Sequence, residues 1–359
     1  MGQIAPFIEK VYIKNIKFEI EMNTNHHNLP FKRGFKPIIA LLSILGLVFI
    51  VVIFSYFKTS EDKDDETYKD NFQRRYSIFA LDLPDHVNFA GEEVPLDHFD
   101  VRESLDRELL VNTYWQSQTV LFMKRAKRYF PLIEKILKEN DVPDDFKYLV
   151  LAESDLRNQV SPSGAVGVWQ LLEGTAKDYG LEVNDNVDER YHLEKSTVAA
   201  CKFIKDSKEL FGSWTMAAAA YNMGRKGLAR QVNRQGQSNY YDMLFNDETA
   251  RYVYRVIAIK LILENPENYG YHIREKDLYH PIPTYTINVD SSITNFTYFA
   301  EKLEINYKIL KYFNPWLRDT FLDNKQNKIY QIEIPEKGFR SYSKIINQIK
   351  IDTTFVENY

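Results

Sequence analysis

Cysteine is nearly absent from this chain: its 359 residues hold one, Cys201, in the apolar run Val198-Ala199-Ala200-Cys201. A single thiol excludes an intrachain disulfide, and no Cys/His cluster has the spacing of a metal site. Cys201 itself reads as a small buried hydrophobe. An excess of basic residues is also missing. Lys and Arg number 46 against 50 Asp and Glu, a net charge of −4, so the chain lacks the electrostatic footprint of a nucleic-acid binder. No internal repeat or low-complexity tract is present. The length suits one medium domain with a small second one. Aromatics are plentiful at 14%, with faces that suit sugar rings and serve equally well as core filler.

A long uncharged run does exist. Pro37 to Phe57, PIIALLSILGLVFIVVIFSYF, would span about 30 Å as a helix, the thickness of a bilayer's hydrocarbon core. Lys32, Arg33 and Lys36 precede it, and six acids (Glu61, Asp62, Asp64, Asp65, Glu66, Asp70) follow against three lysines. The positive-inside rule therefore expects residues 1–36 in the cytoplasm and everything after residue 58 outside. No small-residue cleavage site follows the run and no cysteine near it could carry a lipid, so an uncleaved anchor is expected over a signal peptide. Residues 1–21 read as a stray strand, and Met22 would open a tidier anchor.

Residues 58–84 are expected to be a linker, charged and poor in aliphatics over its first part. From about 100 to 266 the pattern is helical, with Phe122, Ala126, Tyr129, Ile133 and Ile136 at alternating steps of four and three. Val142-Pro143-Asp144 reads as a helix start. Further helices are expected near 170–179, 189–211, 213–222, 224–233 and 247–264, with Gly180, Gly212 and Gly224 at their ends. Pro281 and Pro283 mark a boundary. Beyond them Thr284–Val289 alternates as a strand, 295–313 reads as helix, and Ile329–Ile334 alternates again.

The chemistry concentrates in three places. The helix Asp144–Ser154 carries Phe146, Leu149, Val150 and Glu153 at i, i+3, i+4 and i+7, with Leu151 and Ala152 making it apolar nearly all round. A carboxyl desolvated there keeps its proton near neutral pH, as a general acid requires; a lone helix-end Glu more often simply reaches water. Ser161 to Gln170 (SPSGAVGVWQ) is a glycine-punctuated loop leading into a helix, suited either to close approach of a ligand or to plain turning. Thr215 to Asn222 (TMAAAAYN) is an alanine-packed helix ending in a hydroxyl and an amide, a pattern equally met in ordinary packing and capping.

Taken together, Glu153-Ser154, Gly167-Val168-Trp169-Gln170, Ala220-Tyr221-Asn222 and Glu248-Thr249-Ala250-Arg251-Tyr252-Val253 resemble the soluble-lytic-transglycosylase family, a branch of the lysozyme-like superfamily. They stand in that family's order and at similar spacing. Tyr129 to Leu151 is similar to the same family's membrane-bound type D enzymes, and Gly-Val-Trp-Gln replaces the common Gly-Leu-Met-Gln. The resemblance implies a mainly α fold: an N-terminal transmembrane helix (37–57), a lysozyme-like helical catalytic domain (85–275) and a small α+β C-terminal module (282–359).

It also implies a reaction on peptidoglycan glycan strands without metal or cofactor. Glu153 would protonate the oxygen between N-acetylmuramic acid and N-acetylglucosamine, then accept the proton of the muramoyl C6 hydroxyl as that hydroxyl closes on C1. Most glycosidases need two carboxylates; here no second acid has a comparable place, since Asp155 would point away on a continuing helix. Tyr221 would hydrogen-bond Glu153, Ser161, Gln170 and Asn222 would hold substrate, and Glu248 would shape the cleft or merely favour a helix N-terminus. The alternative is a non-catalytic peptidoglycan-binding or scaffold protein on the same fold. The C-terminal module resembles a LysM domain, a β-α-α-β unit that binds N-acetylglucosamine polymers, through Ile287, Val289, Phe299-Ala300, Leu310, Asn314-Pro315-Trp316-Leu317 and Ile332-Glu333-Ile334-Pro335. Either it binds glycan, with Trp316 stacked on a sugar, or it is a structural lid with Trp316 in its core.

Overall fold

The computed structural model describes residues 78–347 together with Leu45, Gly46 and Phe49, which are helical. The rest of the expected anchor at 37–57, the segment before it and most of the 58–84 linker lie outside the described residues. Among the described residues no helix is long and apolar enough to cross a membrane.

The helical domain opens with a short hairpin, β1 (Asn88–Phe89) and β2 (Glu92–Glu93), antiparallel around Ala90-Gly91. Helices α1 (Phe99–Tyr114) and α2 (Gln116–Glu139) follow. Along α2, Phe122, Ala126, Phe130, Ile133 and Leu137 are buried at the spacing of one helix face. Helix α3 (Phe146–Ser154) buries Phe146, Tyr148, Leu149, Val150 and Leu151, so both its sides are packed. It starts after the Pro143-Asp144 at which it was expected. Asp145 directs its carboxylate to the Lys260 ammonium at 2.7 Å and to the Ala90 N–H at 2.6 Å, fastening the β1–β2 turn to α3.

Next come a two-residue pair, β3 (Gln159–Val160) and β4 (Val166–Gly167), and a helix, α4 (Glu173–Asp178). The sequence pattern predicts helix from 170. The chain instead turns at Gln170, whose φ is +50°, and Val166 bridges to Leu171. A 3-10 turn (Glu189–Tyr191) precedes α5 (Leu193–Phe211), and the left-handed Gly212 ends it. Helix α6 (Trp214–Met223) is capped by Ser213, whose hydroxyl accepts the Met216 N–H at 3.1 Å; the Glu92 carboxylate also accepts the N–H groups of Trp214 and Thr215. Ala217 to Ala220 are fully buried, which lets α6 pack closely on α5 and on α8 (Asp247–Glu264), with α7 (Arg225–Gln235) between them in sequence. Helix α8 packs on α1, α3 and α6 and forms the spine of this domain.

The C-terminal module is β5 (Thr284–Val289), α9 (Phe296–Lys302), α10 (Tyr307–Phe313) and β6 (Tyr330–Pro335), with β5 and β6 antiparallel and Ile287 opposite Ile332. The helix expected over 295–313 is two, because Glu304 takes φ +56° and Asn306 caps the second by accepting the Ile309 N–H. Phe296, Ala300, Leu310, Trp316, Leu317, Ile332 and Ile334 form its core, and Val166, Val187 and Tyr191 of the preceding domain belong to the same apolar cluster.

Trp316 is only 3% exposed. Its ring stacks on Tyr330, with centroids 5.7 Å apart, and lies 5.8 Å from His192. At that exposure the indole has no open face for a sugar, so the structure corrects the sugar-stacking alternative for Trp316 in favour of the core one.

Candidate active site

Glu153 stands one residue before the end of α3, where the helix stops at Ser154 and Asp155 adopts a left-handed conformation, φ +58°. Asp155 therefore leaves the helix instead of continuing it, and its carboxylate pairs with Arg157 at 2.7 Å. Glu153 is half-buried and accepts a hydrogen bond at Oε1 from the hydroxyl of Tyr252, a fully buried residue on α8. Burial pushes the Glu153 carboxyl up from 4.5 to about 7; the Tyr252 hydrogen bond pulls the other way, Glu248 raises it further and Arg255 lowers it. A carboxyl balanced near 7 holds a proton at neutral pH and also releases it, the requirement for one group acting first as acid and then as base.

The partner of Glu153 differs from expectation. Tyr221 does not reach the carboxylate; its hydroxyl donates to the Trp169 carbonyl oxygen at 2.6 Å. It remains near enough to feel the charge: burial raises its own ionisation well above the ordinary tyrosine range, and Glu153 adds to the rise. Tyr252 belongs to the 248–253 motif without standing out in it, yet the sequence holds a signal for it. Glu248, Arg251, Tyr252 and Arg255 fall at i, i+3, i+4 and i+7 on α8, one face of one helix.

Three of these four side chains are charged, and they meet a buried acid. Glu108 on α1, 1% exposed, accepts a hydrogen bond from Arg251 Nε at 2.7 Å, and Arg255 Nε lies 3.7 Å from its other oxygen. Arg255 also approaches Glu248 at 3.4 Å. Glu248 is exposed in the first turn of α8. Asn222 joins the same wall, its Oδ1 accepting the Thr249 hydroxyl at 2.8 Å.

The loop 161–171 is tied to α3 directly. Ser154 Oγ donates to the Val168 carbonyl at 2.6 Å, and Gln159 Nε2 to the Ser154 carbonyl at 2.7 Å. Ser161 closes a turn: its hydroxyl accepts the Ala165 N–H at 3.0 Å and its carbonyl accepts the Gly164 N–H at 2.9 Å. Gln170 uses its amide nitrogen inside the loop, donating to the carbonyls of Gly167 at 2.7 Å and Gln159 at 3.2 Å. Trp169 is fully buried, and its indole N–H donates to Thr197 at 2.8 Å. Gly167 cannot be replaced here. Its φ is +81°, and a Cβ would stand 2.0 Å from the Arg190 carbonyl oxygen. Among the described residues no group of three or more His, Cys, Asp or Glu side chains is arranged to hold a metal ion.

Comparison with known families matches the chain at two places. Residues 130–244 match the family described as Transglycosylase SLT domain, and residues 285–338 match the Soluble lytic transglycosylase C-terminal LysM-like domain. The chain is 26% identical over 243 residues to "Membrane-bound lytic murein transglycosylase D" of Escherichia coli, in strain K12 and equally in strain O6:H1, covering 65% of this chain and 52% of each relative. It is also similar, at 28% identity over 151 residues, to a protein of Alteromonas sp. (strain M-1) named for tributyltin chloride resistance, over 40% of this chain and 72% of that protein. The chain thus spans about half the length of the transglycosylase D relatives it matches.

Proposed function

With a transglycosylase SLT domain followed by a LysM-like domain in one chain, we propose that this protein is a peptidoglycan lytic transglycosylase using Glu153. One observation carries the reading: a half-buried carboxyl on a short helix, held by a buried Tyr252 hydroxyl and poised near pH 7. Glu153 protonates the glycosidic oxygen as the bond from muramoyl C1 breaks. The resulting carboxylate then takes the proton of the same sugar's C6 hydroxyl while that oxygen bonds to C1. Glu153 ends as it began, protonated, and the product carries a 1,6-anhydro ring with no water consumed. A single carboxyl that changes role suffices for this cycle, whereas hydrolysis with inversion or retention uses a pair.

We further propose that Ser161, Gln170, Tyr221, Asn222 and Glu248 serve substrate binding. Gln170 offers its side-chain carbonyl, Asn222 its amide nitrogen, and Tyr221 supports the loop through Trp169. We further propose that the apolar run 37–57 anchors the protein at the cytoplasmic membrane with its catalytic part facing the cell wall, a reading that the charge asymmetry around that run supports. The deciding experiment is mass analysis of fragments released from purified sacculi by the full chain. Muropeptides ending in 1,6-anhydro-N-acetylmuramic acid are expected. Ends reducible by borohydride would instead identify a hydrolase, and no release at all would leave the scaffold reading.

A further inference from the structure

The C-terminal module and the active-site loop are joined through residues 182–192. Val187 and Leu317 form an antiparallel bridge: the Asp188 N–H donates to the Trp316 carbonyl at 2.9 Å and the Arg318 N–H to the Asn186 carbonyl at 2.8 Å. Side chains reinforce this seam. The Arg318 guanidinium lies 3.9 Å over the Tyr191 ring, Tyr330 donates to Glu182 at 3.1 Å, and Lys328 pairs with Glu182 at 3.2 Å.

From Asp188 the connection runs inward. Its carboxylate holds Arg190 as a fork, Oδ1 accepting from Nε at 2.9 Å and Oδ2 from Nη2 at 2.7 Å, with both side chains more than nine-tenths buried. The third guanidinium nitrogen, Nη1, faces the carbonyl oxygens of Gly164 at 3.3 Å and Leu171 at 3.4 Å. These residues bracket the loop that carries Gly167 and Gln170. The backbone of Arg190 meets the same loop from behind, its carbonyl filling the space a Gly167 side chain would need. Arg190 therefore contacts the loop at its beginning, middle and end, and Asp188 ties Arg190 to the strand bridge of the module. The planar guanidinium fork matches one carboxylate in one orientation, so the clamp has one geometry.

We infer that Arg190, locked by Asp188 beneath the C-terminal module, is a positioning residue that sets the Gly164–Leu171 loop to receive glycan, and that the module acts on the reaction through this clamp. The inference rests on the proposed transglycosylase reading for its kinetic arm alone. Arg190 touches neither Glu153 nor Tyr252 by any contact described above. Its loss is therefore expected to disturb substrate binding and to leave the proton chemistry in place.

Two arms test it on the full chain. In the first, Arg190→Lys keeps the cation but removes the fork. The variant is expected to fold and to raise KM for glycan strands about tenfold, the equivalent of one well-placed contact, with kcat changed far less and the pH limits of the reaction unmoved. Unchanged KM in a folded variant overturns the inference, as does a fall confined to kcat with a shifted pH limit. The second arm needs neither activity nor a variant. In native-state hydrogen exchange on the wild-type chain, the amides of Asp188 and Arg318 in the seam and of Val166 and Leu171 in the loop are expected to open as one cooperative unit. Independent opening of loop and seam overturns the clamp even if Arg190→Lys does not fold. If the wild type releases nothing from sacculi, the proposed function fails while the exchange arm still decides the clamp.

Discussion

Replacing Glu153 by Gln should abolish cleavage and, at the same time, make the protein more stable in alkaline buffer. The second effect follows from the burial that raises the Glu153 carboxyl. The carboxyl rises from 4.5 to about 7 on folding, at about 1.4 kcal/mol per unit. That corresponds to roughly 3 kcal/mol against the folded, ionised protein, which partial solvent access reduces to about 1–2 kcal/mol. The sign is set by the direction of the shift. Below the unfolded value both states hold the proton and the carboxyl has no net effect. As pH climbs through the window from 4.5 to about 7, only the unfolded chain ionises freely, so wild-type stability falls. Above that window the loss is complete. Gln carries no charge in either state and still offers an oxygen to the Tyr252 hydroxyl. Thermal melts of both proteins at about pH 4.5 and about pH 8 check this: equal stabilities at the acid end are expected, with the variant melting a few degrees higher at the alkaline end. An identical difference at both pH values would refute the raised carboxyl, and cleavage by the Glu153→Gln variant at near wild-type rate would refute the catalytic assignment.

Tyr252→Phe removes the hydrogen bond that favours the ionised Glu153, so the alkaline limit of kcat/KM should move to higher pH, and a pH–rate profile with an unmoved limit would sink that role. Gly167→Ala sets a Cβ against the Arg190 carbonyl at a positive φ; it should cost about 3 kcal/mol or more in urea unfolding and lower activity with it. Trp316→Ala empties a packed seam, so a loss of about 3–5 kcal/mol is expected in the same assay, and retention of full stability with weakened binding to sacculi would restore the sugar-stacking reading. Protease added outside spheroplasts should degrade the catalytic part; protection there would reject the outward-facing anchor.

What local sequence determined here is what depends on near neighbours along the chain. The burial period of α2, the apolar girth of α3, the alanine helix α6 and the alternation of β5 and β6 were all legible, because each element's face is written at a spacing of two or of three to four residues. The desolvation of the Glu153 carboxyl was legible for the same reason: a carboxyl on a helix without a polar side has few ways to avoid burial. Short pieces failed where single residues decide. Gln170 and Glu304 adopt positive φ without being glycine, and no periodicity announces the break in the 295–313 helix or the delayed start of α4.

Tertiary structure alone chose between partners of equal chemical merit. Tyr221 and Tyr252 both lie in recognised motifs, and either hydroxyl could serve a carboxylate. Only the packing of α8 against α3 brings Tyr252 to Glu153, 99 residues away, while α6 points Tyr221 at the Trp169 carbonyl. Trp316 in an Asn-Pro-Trp loop was equally open in sequence, and its burial came from His192 and Tyr330, which lie on separate elements. Such choices rest on contacts between distant segments. Their geometry is set by how whole faces interlock, and no spacing within either segment encodes it.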